Sequence, residues 1–168
     1  MIVKLKQIDF RWFPVGLIVV YVPFHILEEA IYHFPLWMFE HYKLPQALSY
    51  PHWLINNSIF LFVLLIGLII YNRDRINNLS FGLAIVIWAF MNSMEHIAFT
   101  IIDLKISPGF YTAILFLIIS IIGIIKLRVE KILNPRLLLK SFLIAIGYWV
   151  VSFLIIIVLG LYLVKLFP

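Results

Sequence analysis

Five apolar stretches, each long enough to cross a membrane, constrain the fold of this chain more than any other feature. They cover roughly residues 12–33, 53–72, 79–102, 108–127 and 141–166. A helix needs about 20 apolar residues to cross the hydrocarbon core of a bilayer. Because a helix bonds its backbone polar groups within its own segment, it is stable in hydrocarbon. The sequence therefore predicts an all-α integral membrane bundle of five transmembrane helices.

The composition excludes most other classes of protein. Of the 168 residues, 64% are hydrophobic and 12% are charged, which is too apolar for a soluble domain. No cysteine is present, so disulfides and thiolate chemistry are excluded. The net charge of +5 resides in short connections and does not indicate a nucleic-acid partner. We expect a single membrane domain covering residues 1–168, whose first span lacks a signal-peptide cleavage pattern and is therefore retained.

The connection between the first two spans has a different character. Residues 35–51, "PLWMFEHYKLPQALSYP", are too polar to span a membrane and too apolar to extend freely into water. Aromatic side chains are common at the membrane–water interface. This connection therefore predicts a short interfacial helix.

The basic residues indicate how the chain is oriented. Ten of the thirteen Lys and Arg residues lie before the first span, between spans two and three, or between spans four and five. Connections rich in Lys and Arg remain on the cytoplasmic side of a membrane. We therefore expect the N-terminus in the cytoplasm, the C-terminus outside it, and a location in a bacterial cytoplasmic membrane.

Two spans that run in the same direction carry polar residues with the same spacing, at similar depth in the outer half of the membrane. Positions i, i+3 and i+4 of a helix share one face. The two patches are therefore predicted to face each other across the bundle. They comprise His25, Glu28 and Glu29 in the first span and Asn92, Glu95 and His96 in the third.

Three carboxylates at one depth in a membrane repel each other unless something neutralises them. A proton, a protonated histidine or a metal ion could do so. His52, Asn56 and Tyr111, from the second and fourth spans, are predicted to close the cluster.

The motifs resemble one known family. "HILEE" at 25–29 is similar to the signature of the bacterial membrane proteins named after an HXXEE motif, whose function is uncharacterised. "NSMEH" at 92–96 and "SPGFYTA" at 107–113 resemble the second and third motifs of that family. The resemblance extends from about residue 13 to 125. It implies that His25, Glu28 and Glu29 are motif positions, with His96, Pro108 and Gly109 as further family positions.

The first functional hypothesis is a metal-dependent, hydrolase-like enzyme that acts on a lipid or isoprenoid-like substrate. His25, Glu29 and His96 would supply two nitrogens and one oxygen and leave a position open, as in catalytic zinc sites. Glu28 or Glu95 would transfer protons. Zinc is preferred to iron because "HILEE" reverses the Glu-x-x-His order of di-iron bundles. The remaining polar residues of the cluster would orient ligands or substrate: Asn92, His52, Asn56 and Tyr111.

Two other functions use the same residues. A buried glutamate could protonate a lipid double bond without any metal, with aromatic faces stabilising the cation, as in an isomerase or cyclase. The histidines and glutamates could instead relay protons in a proton-coupled carrier. Paired Glu and His can also neutralise each other through shared protons, with no ion bound. The sequence leaves the oligomeric state open.

Overall fold

The computed structural model describes residues 8–42 and 50–166, and side chains up to residue 155. Among the described residues, five helices are long and apolar enough to cross a membrane, so the chain is an all-α, multi-pass membrane protein. A shorter helix, α2, lies between the first and second of them. In chain order the helices are α1 (Trp12–Ile31), α2 (Phe34–Tyr42), α3 (Tyr50–Arg73), α4 (Leu79–Asp103), α5 (Phe110–Val129) and α6 (Pro135–Leu166).

Short connections make the spanning helices run in alternating directions, which gives the bundle two different ends. The motif end contains the last turns of α1 and α4 and the first turn of α5. The opposite end, called the basic end, contains one ion pair between two segments and one at the end of α5. There Arg75 Nη1 lies 2.8 Å from Asp9 Oδ2, and Lys126 Nζ lies 2.6 Å from Glu130 Oε1.

Helix α4 is the centre of the bundle. It contacts each of the other four spanning helices. Every residue from Leu83 to Ala89 is buried. A helix that is apolar on all sides has to be surrounded by others, and alanines such as Ala84 and Ala89 allow neighbouring backbones to approach closely.

Helix α1 contains a wider segment that keeps one row of side chains facing the bundle. The residues at every fourth position, from 13 to 29, are buried. In a regular α-helix such a row would drift by about 40° per step. The π-helical segment Tyr21–His25 takes up part of this drift, and it also accommodates Pro23, which has no N–H to donate. The row comprises Phe13, Leu17, Tyr21, His25 and Glu29.

As predicted, the connection between the first two spans contains a short helix, α2. A left-handed residue, His33 with φ of 55°, separates it from α1. Trp37 packs on Phe99 of α4, with ring centroids 5.3 Å apart, and the Tyr42 hydroxyl donates to Asp103 Oδ2 at 3.1 Å. Partial burial and the neighbouring carboxylate raise the pKa of Tyr42, which keeps the donor protonated. The rest of the predicted connection, residues 43–49, lies outside the described residues.

The last helix begins earlier than the sequence predicts. We expected residue 141, but the helix starts at Pro135. Proline suits the first helical position because its missing N–H would have no partner there. Asn134 caps the helix by accepting from the Leu137 N–H at 2.9 Å. Two basic residues, Arg136 and Lys140, therefore lie in the first turns of α6.

The central position of α4 makes a testable prediction. Ala89 is fully buried, so Ala89→Leu would force extra methylene groups into close-packed helices. We expect the free energy of unfolding, measured by denaturation in mixed micelles, to fall by about 1–3 kcal/mol. The matched control is Ala98→Leu, at an exposed position of the same helix, which should change it by less than about 0.5 kcal/mol. Equal effects of the two variants would contradict the central placement.

Candidate functional site

Three side chains from α1 and α4 converge inside the bundle at its motif end. Glu29 Oε1 lies 3.6 Å from His25 Nε2 and 3.5 Å from His96 Nε2. The two imidazole rings meet edge to face, with centroids 5.0 Å apart. All three residues are at least 95% buried. We call this group the triad; among the described residues it is a set whose potential ligand atoms all lie within 4.8 Å of one another.

The other nitrogen of His25 is held by a hydroxyl and a carboxylate. His25 Nδ1 lies 2.8 Å from Thr112 Oγ1, and that hydroxyl donates to Glu28 Oε2 at 2.6 Å. A carboxylate can only accept, so the hydroxyl proton points to Glu28. The Thr112 oxygen therefore accepts from His25 Nδ1–H. In a neutral His25, Nε2 then carries no proton and its lone pair is directed at the triad.

His96 is oriented by a second hydroxyl. Its Nδ1 lies 3.3 Å from Ser107 Oγ, and Ser107 donates its proton to the His96 carbonyl oxygen at 3.1 Å. The Ser107 oxygen is thus free to accept from His96 Nδ1–H. By the same reasoning as for His25, the lone pair of His96 Nε2 faces Glu29.

With both histidines neutral and Glu29 ionised, the triad brings three hydrogen-bond acceptors together. Their separations of 3.5 and 3.6 Å exceed the length of about 2.7–3.2 Å that is usual for an N–H···O hydrogen bond. Acceptors that face each other in a buried, low-dielectric site repel unless a cation lies between them. The geometry can accommodate a proton or a metal ion at its centre.

Glu28 joins α1 to the start of α5. Its carboxylate accepts from the backbone N–H groups of Tyr111 at 2.9 Å and Thr112 at 2.8 Å, in addition to the Thr112 hydroxyl. The first N–H groups of a helix have no partner within the helix, and the helix dipole favours an anion there. Glu28 thus caps α5, and its carboxylate is engaged away from the centre of the triad.

Gly109 lets the turn before α5 approach the triad closely. Its φ of 89° lies in the left-handed region, which glycine adopts without strain. A Cβ placed on it would lie 2.7 Å from His96 Cε1 and 2.9 Å from His25 Cε1. The turn thus forms one wall of the site and leaves no room for a side chain.

A cavity of about 360 Å³ adjoins the triad through Glu29 and His96. It extends between α1, α3, α4 and α6 and is bordered by Phe34 and Met38 around the start of α2. Aromatic rings form about half of its wall, including Trp53, which also hydrogen-bonds the Glu29 carboxylate. The lining comprises Tyr21, Glu29, Phe34, Met38, Trp53, Asn56, Asn57, Phe60, Trp88, Asn92, Glu95, His96, Trp149, Ser152 and Phe153.

The structure brings together most, though not all, of the residues singled out in the sequence. Glu95, Asn92 and Asn56 line the cavity beside the triad. The His52 and Tyr111 side chains are exposed and lie outside the cavity lining. Tyr111 reaches the site through its backbone N–H, so the geometry does not support a role for its phenol in orienting substrate.

Several residues of the site carry no clear signal in the sequence. Thr112 and Ser107 look like ordinary small polar residues of a membrane helix, yet each orients a histidine. Trp53 and Trp88 look like core or interfacial aromatics. The one available signal was the position of both hydroxyls in "SPGFYTA", at a helix start on the same level as the two polar patches.

Comparison with known proteins gives one result. A family model described as "Protein of unknown function with HXXEE motif" matches residues 16–123, more than half of the chain. No curated protein and no solved structure shows a significant match.

The close approach of Gly109 can be tested by substitution. Gly109→Ala would impose strain at positive φ and push a methyl group against both imidazoles. We expect the free energy of unfolding to fall by about 1–3 kcal/mol. Gly16→Ala is the matched control, because nothing lies within 4 Å of a Cβ at that position, and alanine in a helix should be neutral or stabilising. Equal stability of the two variants would rule out the close approach.

The cap formed by Glu28 gives a second prediction for the site. Glu28→Leu removes the acceptor of two backbone N–H groups and one hydroxyl, so these donors lose their partners. We expect a loss of about 1–3 kcal/mol in the free energy of unfolding. Hydrogen exchange should also accelerate at the Tyr111 and Thr112 amides. Glu40→Leu, at an exposed glutamate of α2, should leave both measurements near the wild-type values.

Proposed function

Since the chain belongs to the family of proteins of unknown function with an HXXEE motif, we propose its activity from the site itself: a membrane-embedded, metal-dependent hydrolase of a lipid-like substrate. The triad of His25, Glu29 and His96 would hold the metal ion. The adjoining cavity would hold the substrate, and Glu95 would transfer the proton.

The proposal rests on the convergence of three acceptor atoms. Two of them belong to imidazole rings whose orientation is fixed by a hydrogen bond at the other ring nitrogen. Histidines that bind metals usually donate their second N–H to a partner that fixes the ring. His25 does so to Thr112 and His96 to Ser107. Shared protons alone would draw the facing atoms to hydrogen-bond distance, whereas the observed spacing of 3.5–3.6 Å leaves room for a larger cation.

The same spacing favours zinc over iron. Ligands at about 2.1 Å from a metal lie about 3.4 Å apart around a tetrahedron and about 3.0 Å apart around an octahedron. The two separations that involve Glu29 Oε1, 3.6 Å to His25 Nε2 and 3.5 Å to His96 Nε2, are closer to the tetrahedral value. Zinc commonly adopts tetrahedral coordination, whereas two histidines and one carboxylate hold iron in a more open, higher-coordinate geometry. Three protein ligands leave the fourth position open for a water molecule or substrate.

Hydrolysis of an ester or amide fits the groups that line the cavity. A bound zinc would polarise the carbonyl and make water a nucleophile near neutral pH. Glu95, on the cavity wall beside His96, would accept a proton from the attacking water as the new C–O bond forms. It would return that proton to the leaving alcohol or amine as the old bond breaks. Glu28, which the sequence offered as an alternative, is engaged in capping α5.

The distribution of basic residues supports an orientation for this reaction. In the sequence, ten of the thirteen Lys and Arg residues precede the first span or lie in the connections between spans two and three and between spans four and five, which would place the basic end and the N-terminus in the cytoplasm. The C-terminus and the triad would then lie toward the outside of a bacterial cytoplasmic membrane. The substrate would come from the outer leaflet.

A metal-free acid–base isomerase is the second candidate, because Glu95 shares the cavity with several aromatic rings that could stabilise a carbocation. A proton-coupled carrier has less support. Between Trp88 and the basic end, the bundle core consists mainly of apolar residues such as Leu17, Leu64 and Leu83. Metal content separates the first two candidates, and proton flux in liposomes tests the third.

Elemental analysis of the purified protein tests the metal directly. We expect about one zinc per chain in the wild type, and at least a tenfold loss of affinity in His25→Ala and in His96→Ala, because each removes one of three ligands. His41→Ala is the matched control, since this histidine lies on α2 and bonds the Trp37 carbonyl. Its zinc content should equal that of the wild type.

Activity would be measured by the release of fatty acid from single-chain ester or amide lipids added to reconstituted vesicles. Removal of zinc by a chelator should abolish it, and added zinc should restore it. Glu95→Gln should retain zinc and lower kcat by about a hundredfold or more. A wild-type protein that contains neither zinc nor iron, even after incubation with either ion, would overturn the proposal.

A further inference from the structure

Two buried polar atoms in the wall of the cavity have no hydrogen-bond partner among the described residues. They are Trp88 Nε1, a donor, and Asn92 Oδ1, an acceptor. The two residues are 1% and 9% exposed. Buried polar groups in native proteins are almost always paired. These two atoms therefore indicate that the cavity is built for a ligand with polar groups at this level.

The two atoms lie on one stripe of α4 with a triad residue. Trp88, Asn92 and His96 are spaced by four residues, so their side chains follow one another along a single helix face. Each step is about 6 Å along the helix axis. A ligand whose reacting group lies at the triad would pass Asn92 and then Trp88 as its chain extends toward the middle of the bundle.

One hydroxyl group can satisfy both atoms. A hydroxyl donates one hydrogen bond and accepts others, so it could donate to Asn92 Oδ1 and accept from Trp88 Nε1–H. Side chains at i and i+4 are close enough to share such a group, since their Cβ atoms lie about 5–6 Å apart. We infer that the cavity selects a single-chain lipid with a hydroxyl group about one helical turn from the group bound at the triad.

The size and surface of the cavity fit one chain of this kind. Its volume of about 360 Å³ is at the lower end of the range of about 300–1,000 Å³ that is typical of small-molecule sites. That is enough for one chain with a small head but not for a diacyl lipid. The side toward α6 is formed by Trp149 and Phe153, which are 42% and 63% exposed. Hydrocarbon can therefore approach the cavity from this side.

This inference rests on the proposed function, because it treats the triad as the place where the reacting group binds. It adds a rule for substrate selection. A site with buried polar groups discriminates strongly against analogues that leave these groups unpaired. We expect the hydroxylated chain to bind about ten to a hundred times more tightly than the plain chain.

Binding of product analogues tests the rule without turnover. The probes are fatty acids of one length, each carrying a single hydroxyl at a different carbon, together with the unsubstituted acid. Each competes with radiolabelled unsubstituted acid for the zinc-loaded, full-length protein in detergent, with uptake by protein-free micelles subtracted. We expect a sharp maximum in affinity at one or two adjacent hydroxyl positions.

The variants locate the origin of this preference. Asn92→Leu and Trp88→Phe each remove one of the two polar atoms. Each should therefore bring the ratio of the affinity for the best hydroxylated acid to the affinity for the unsubstituted acid closer to one. Ser120→Ala, which removes a buried hydroxyl that lies outside the cavity lining and has no hydrogen-bond partner among the described residues, should leave the ratio unchanged. Because the positional series uses the wild-type protein, the test stands even where a variant fails to fold.

Each outcome bears on the inference. Equal affinity for all hydroxyl positions, or failure of all the acids to bind, would overturn the inference. Neither result would affect the zinc content, so the proposed metal centre would stand. A preference that persists in both Asn92→Leu and Trp88→Phe would also overturn the inference, because the selecting groups would lie elsewhere. Absence of zinc together with a sharp maximum would instead remove the proposed hydrolase and retain the hydroxyl site.

Discussion

The meeting of three acceptor atoms in a buried space is the constraint on which the rest of the site depends. Glu29, His25 and His96 face one another in a low-dielectric interior, where either shared protons or a metal ion would have to compensate their repulsion. Such an arrangement is stable only if the surrounding structure fixes each ring. Two hydroxyls and one carboxylate do this, and all three belong to or contact the turn that begins α5. The start of α5 is thus as much a part of the site as the HXXEE motif itself.

The two glutamates of the motif contact different parts of the site. Glu29 continues the buried row of α1 and points to the centre, while Glu28, one residue earlier, turns to the α5 terminus. Adjacent residues on a helix point in directions about 100° apart. One glutamate can therefore complete the triad while the other orients it. Neither could replace the other without a rotation of the helix, and the π-helical segment before them sets that rotation.

The overall architecture followed from the sequence because the requirement for a bilayer-spanning helix is simple. Hydropathy and length located all five spans, and the identical spacing of polar residues in two of them predicted the meeting of His25 with His96. Helix α6 extends beyond the predicted span 141–166 at its N-terminal side, because Asn134 and Pro135 start the helix before the apolar run begins. Capping chemistry outweighs polarity in the first turns of a helix.

The finer geometry of the site could not be predicted, for physical reasons. The direction of Glu28 depends on the backbone N–H groups at the start of α5. Every helix has such groups, and no residue type in the sequence shows which side chain will bind them. His52 and Tyr111 lie at helix starts near the right depth, but the rotation of each helix about its axis turns both side chains outward. That rotation is set by packing of the whole bundle, so one helix alone does not reveal it.

The lining of the cavity suits the proposed hydrolysis of a lipid-like substrate in a membrane. Water and hydrocarbon have to reach the same atoms without mixing. Here the polar lining residues Glu95 and Asn56 lie near the motif end, which water would reach, whereas the exposed Trp149 and Phe153 of α6 lie on a surface that acyl chains would contact. A lipid entering between the helices and a water molecule entering along the polar wall would therefore meet at Glu29 and His96. A proton relay would instead need polar groups that continue toward the basic end, and the large apolar side chains packed around Trp88 interrupt that direction.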